Sequence, residues 1–80
     1  MLLQLARKGI MDWTARIRII VEEGMRKGEI RKTTEPRKIA NTIVAMLEGA
    51  LMLSRVEGNK LPLQDAQETL ESVLSAIAAA

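Results

Sequence analysis

Residues 36–55, PRKIANTIVAMLEGALMLSR, decide the fold of this 80-residue chain. At about 100° per residue, the turn of an α-helix, Arg37, Asn41, Glu48 and Arg55 share one narrow strip. Nearly everything else is apolar. Ile39, Ala40, Ile43, Val44, Leu47, Ala50 and Leu51 occupy one side of the remaining surface, and Ala45, Met46, Gly49, Met52, Leu53 and Val56 the other. A helix apolar on nearly all sides is expected to be buried on nearly all sides. Two amphipathic neighbours can cover one of those sides in a chain this short, so a second copy of the chain is the expected cover for the other. The face of Ile39, Ile43, Leu47 and Leu51 is expected to hold the chain's own helices together. Ala45 and Gly49, four residues apart and flanked by pliable methionines, are expected to meet the partner.

Outward from this helix, the signals are punctuation. Either Thr34 or Glu35 caps its start, with Pro36 in the first turn, and Gly58 with Asn59 ends it near Glu57. Upstream, residues 2–27 predict one helix, or two joined at Gly9, with Ile10, Trp13, Ile17, Ile20, Val21, Gly24 and Met25 on one face and Leu2, Leu3 and Ala6 extending it. Asp12 with Arg16, Glu22 with Arg26 and Glu23 with Lys27 stand four apart and predict ion pairs on a solvated face. Ile19 lies opposite the main stripe, beside Met11 and Ala15. The basic pair Arg26 and Lys27 followed by Gly28 predicts a helix stop, and residues 29–35 a polar connector. Downstream, Pro62 opens a last helix with Leu63, Ala66, Leu70, Val73, Leu74 and Ile77 on one arc, fraying at Ala76 to Ala80. The fold class is all-α, a three-helix amphipathic array in a single domain, residues 1–80.

Composition removes several alternatives. Cysteine and histidine are absent, which excludes disulfides and the common zinc ligand sets. A core of this size is small, so oligomerisation is the support that remains. Without His, Cys or Tyr the usual nucleophile and base pairings are not at hand, and Ser54, Ser72 and Ser75 match no nucleophile motif. No catalytic constellation and no cofactor are expected. Glu48 belongs to the polar strip and reaches water, or contacts a ligand; Trp13 is a core aromatic or one wall of a pocket. No signal peptide is recognisable, and Glu48 interrupts the best candidate for a membrane span, so the expectation is a cytoplasmic protein with no membrane partner.

The run from Trp13 to Arg55 and the following LPLQDAQETL carry a likeness. Trp13, Glu23-Gly24, Gly28-Glu29-Ile30, Pro36 with Ala40, Leu47-Glu48-Gly49-Ala50 and Pro62-Leu63 resemble, in order and spacing, the C-terminal part of TetR/AcrR-type transcriptional regulators. The resemblance covers roughly residues 11–77. It implies a C-terminal regulatory and dimerisation domain, partial here, whose last two helices form a four-helix bundle with a twofold-related copy. The homodimer interface it implies uses Ala45, Met46, Gly49, Met52 and Leu53 with Leu70, Val73, Leu74 and Ile77. Trp13, Ile17 and Ile20 then stand as an effector-pocket wall, for a small apolar effector. The family's N-terminal helix-turn-helix has no counterpart in these residues, so DNA is expected as a partner only through that missing domain. The alternative reading is a small helical adaptor that binds nucleic acid or protein through the basic connector at residues 26–38, where Arg26, Lys27, Arg31, Lys32, Arg37 and Lys38 cluster.

Overall fold

The chain forms helices α1 (Leu2–Arg26), α2 (Pro36–Glu57) and α3 (Leu61–Ile77) in a computed structural model. The structure describes residues 2–79, apart from the side chains of Leu2, Leu3, Leu5 and Ala6, so the expected extension of the apolar face through Leu2, Leu3 and Ala6 lies outside the described residues. Gly9 does not break α1. Among the described residues, α1 and α3 each pack along α2 and not on each other. The result is a slab of 39 × 31 × 13 Å, little thicker than one helix, which is about 10–12 Å across.

This geometry limits the core. Val21 of α1 and Ala40, Ile43, Val44 and Ala50 of α2 are the buried apolar residues, and Gly24 is buried with them. Within one chain, α2 is therefore not enclosed on nearly all sides as its sequence requires. Its neighbours reach one side only, and even Leu51, expected on the internal face, stays exposed. The accessible surface is 6323 Å², where a compact monomer of this mass has about 4800 Å². The radius of gyration, 14.1 Å, likewise exceeds the roughly 12 Å of a compact chain of this length. By length and by a mean hydropathy of 1.4, α2 is apolar enough to cross a membrane. A core helix passes the same test, and α1 and α3 lie along this one.

The α1–α2 connector is built rather than loose. Gly28 adopts φ +78, the left-handed conformation that costs a Cβ-bearing residue most. It lets the Glu29 N–H donate to the Gly24 carbonyl at 2.8 Å and the Gly28 N–H to the Met25 carbonyl at 3.1 Å, the paired bonds of a Schellman motif. Ile30 then folds back over Gly24, where an added Cβ would lie 2.6 Å from Ile30 Cδ1. The end of α3 closes on this connector. Arg31 N–H donates to the Ile77 carbonyl at 2.8 Å, and Ala79 N–H to the Glu29 carbonyl at 2.9 Å, around an isolated antiparallel bridge of Ile30 with Ala78. The fraying expected from Ala76 onward is thus corrected for residues 76–79. Backbone groups of the connector need partners, and the chain terminus supplies them; Ala80 lies outside the described residues.

Other local expectations are settled similarly. Glu35, not Thr34, is the residue before α2, and its side chain makes no capping bond. Gly58 N–H donates to the Ser54 carbonyl at 2.9 Å, and Asn59 Oδ1 accepts from Leu61 N–H at 2.8 Å to open α3. The ion pairs differ from those expected. Arg18 pairs with Glu22 at 3.7 Å, Arg26 turns back three residues to Glu23, and Lys38 meets Glu35 at 3.1 Å. On an exposed helix face, three-residue and four-residue partners are nearly equivalent neighbours.

Gly28→Ala is expected to lower unfolding free energy by about 1 kcal/mol, read as a lower urea midpoint at fixed protein concentration. Ser54 Oγ is buried without a hydrogen-bond partner. Ser54→Ala removes that unmet group and should raise the unfolding free energy by about 1 kcal/mol, read as a higher urea midpoint.

Candidate functional site

The outward arc of α2 and the first half of α3 frame an open groove of about 500 Å³. Ala45, Met46, Gly49 and Leu53 form its α2 wall; Leu61, Pro62, Asp65, Ala66 and Thr69 form the α3 wall. Spacing explains the set, since 61, 65 and 69 recur at helical repeat while 45, 49 and 53 do so on the facing helix. Leu53 in this wall is 54% exposed, and beyond the groove Met52 is 67% exposed and Val56 78%. Gly49 has no heavy atom within 4 Å of where a Cβ would stand. A mid-helix glycine costs about 1 kcal/mol relative to alanine, and nothing inside the chain accounts for it.

The α2 residues named from sequence as an interface, Ala45, Met46, Gly49, Met52 and Leu53, do fall on this uncovered arc. Those named on α3 behave differently: Leu70, Val73 and Ile77 are half-buried, and Leu74 is exposed. None of these four lines the groove; its α3 wall is Leu61, Pro62, Asp65, Ala66 and Thr69. The expected α3 interface lies on the apolar arc of the helix, whereas the groove wall lies on its more polar flank. The readable signal was the small residue Ala66 between Pro62 and Thr69.

On the other flank of α2, its polar strip borders two grooves beside α1. Gly9, Ile10, Trp13 and Glu48 enclose about 350 Å³. Trp13 is 52% exposed, so within this chain it is a groove wall and not core. Ile20, named with it, is exposed, and Ile17 is half-buried; neither lines that groove with Trp13. Ile19 is exposed, as its position opposite the stripe implied. The second groove, of about 450 Å³, lies on the opposite side of α1 and brings Arg18 towards Arg37 and Asn41. Sequence reading did not foresee this pairing, because it depends on the crossing of the two helices. Among the described residues no set of acidic side chains is arranged to hold a metal ion. In the basic connector, Arg26 and Lys38 are in local ion pairs and Arg31 Nε donates to the Ala78 carbonyl at 3.1 Å.

Three helices in one layer, with open grooves on both flanks of the middle one, define an all-helical unit whose central helix keeps apolar surface exposed. The chain belongs to the TetR family of transcriptional regulators, within the C-terminal domain: residues 2–70 match the family described as Tetracyclin repressor-like, C-terminal domain. A similar solved structure is the crystal structure of a TetR transcriptional regulator from Chloroflexus aurantiacus J-10-fl. It aligns with a TM-score of 0.90 and 32% identity over 99% of this chain and 40% of that one. The chain thus spans 40% of the length of that regulator. No significant match is found among curated proteins.

The exposure of Trp13 has a direct optical consequence. Emission of the 80-residue chain should be red-shifted and readily quenched by acrylamide; a blue, quencher-resistant spectrum would place the indole under cover.

Proposed function

We propose that this chain is the dimerising and effector-binding portion of a TetR-type repressor, acting on operator DNA through an N-terminal helix-turn-helix outside these residues. Two copies pair through the Ala45, Gly49 and Leu53 arc of α2 together with α3, as a four-helix bundle. The observation that carries this reading is Gly49, a helix-interior glycine with open space at its Cβ position. Its lack of a side chain serves close approach only if a second helix comes from outside the chain. The exposed apolar residues Met52, Leu53 and Val56 beside it support the same face. The surface excess of roughly 1500 Å² over a compact monomer is about twice the 800 Å² that one partner contributes to a standard interface. It leaves room for a second copy on one side and for further helices of the same regulator on the other. The grooves beside Trp13 and Arg37 belong to that second side and form part of an effector site. The chain performs recognition and assembly, with no chemical step of its own.

Gly49→Leu separates assembly from folding. The added Cβ has no heavy atom of the chain within 4 Å, and leucine raises helix propensity by about 1 kcal/mol, so helicity should hold or rise. Sedimentation equilibrium should show at least a tenfold weaker dimer; an unchanged dimer would remove this arc from the interface.

A further inference from the structure

We propose that the groove on the Met11 side of α1 binds an amphipathic organic anion, with its head between Arg18 and Arg37 and its apolar body along Ile10, Met11 and Ala15. This rests on the reading of α1 and α2 as part of an effector-binding domain and assigns that effector a chemical class. The groove holds about 450 Å³, within the usual range for small-molecule sites. Its polar lining consists of Arg18, Arg37, Asn41 and Thr14, and no carboxylate lines it. Thr14 Oγ1 already donates to the Ile10 carbonyl at 2.8 Å, so the donors left for a ligand are the two guanidinium groups and the Asn41 amide. Among the described residues, Arg18 is engaged only by an exposed 3.7 Å contact of its Nε with Glu22. Arg37 makes no ion pair among the described residues. A guanidinium presents paired N–H donors that match a carboxylate or phosphate head.

The rest of the lining fixes the other end of the molecule. Ile10, Met11 and Ala15 provide an apolar track, and Ile10 is shared with the groove that contains Trp13 and Glu48. Charge sets the direction: the head lies at the arginine end, since Glu48 borders the Trp13 groove and repels an anion there. A neutral apolar ligand would leave both arginines unused. A cation would have to leave the arginine groove for Trp13 and Glu48, where an indole face and a carboxylate both favour it.

Octanoate, octanol and octyltrimethylammonium, with equal tails and different heads, distinguish these cases when titrated below their micellar concentrations. Binding to the 80-residue chain is read by calorimetry, with Trp13 fluorescence reporting occupation of the neighbouring groove that shares Ile10. Octanoate should bind at least tenfold more tightly than the other two and weaken as salt is raised. Arg18→Gln and Arg37→Gln should each reduce octanoate affinity by about tenfold or more, while Lys38→Gln, outside the groove, leaves it unchanged. Tighter binding of the ammonium compound or of octanol overturns the anion assignment and leaves the effector reading standing. Octanoate binding unmoved by either arginine variant also overturns it. Failure of all three compounds to bind overturns both the assignment and the effector reading of this flank. Sedimentation on the same samples reports the dimer independently.

Discussion

The apolar circumference of α2 is the constraint from which the rest of the structure follows. α1 and α3 can each occupy only a sector of its surface, and they leave the arc through Ala45, Gly49, Met52 and Val56 open. A slab 13 Å thick has no interior in which to hide that arc. Among the described residues its buried apolar side chains, Val21, Ala40, Ile43, Val44 and Ala50, are all small or β-branched, and such a core is modest even for a chain of this length. In the proposed dimer stability and association are linked, because covering α2 contributes to both.

The polar strip of α2 divides its exposed surface. On one flank lie the small and methionine residues assigned to the partner copy, and on the other the grooves beside α1, edged by Arg37, Asn41 and Glu48. Arg55, two turns past Glu48, continues the strip towards the end of the helix. The strip gives the two grooves a polar edge that the opposite arc lacks, so one helix presents two surfaces of different chemistry. Nothing in this division requires a reactive group, consistent with a chain that lacks His, Cys and Tyr.

Much of the fold was readable because it is written in local signals. Gly28, Pro36, Gly58 and Pro62 mark helix ends by backbone conformation or a missing N–H, and the structure places the ends beside them. The membership of the open α2 arc was readable as well, since it follows from periodicity alone. What sequence did not disclose depends on how helices meet. The α3 wall of the large groove uses its Leu61, Asp65 and Thr69 flank because Leu70, Val73 and Ile77 turn partly toward α2. The approach of Arg18 to Arg37 depends on a crossing geometry that no single helical wheel contains. The Ile30 and Ala78 pairing is invisible for another reason: it is made by backbone atoms separated by more than half the chain, and side-chain patterning carries no trace of it.

That pairing has a mechanical meaning. α1 and α3 do not pack on each other, yet the connector leaving α1 is fastened to the last turn of α3 by Arg31 N–H to Ile77, Ala79 N–H to Glu29 and Arg31 Nε to Ala78. Together with the tight Gly58–Asn59 turn, this clasps α3 at both ends. The slab is therefore a closed frame rather than an open zigzag. A displacement at the C-terminal end of α1 must either carry the end of α3 with it or break those hydrogen bonds.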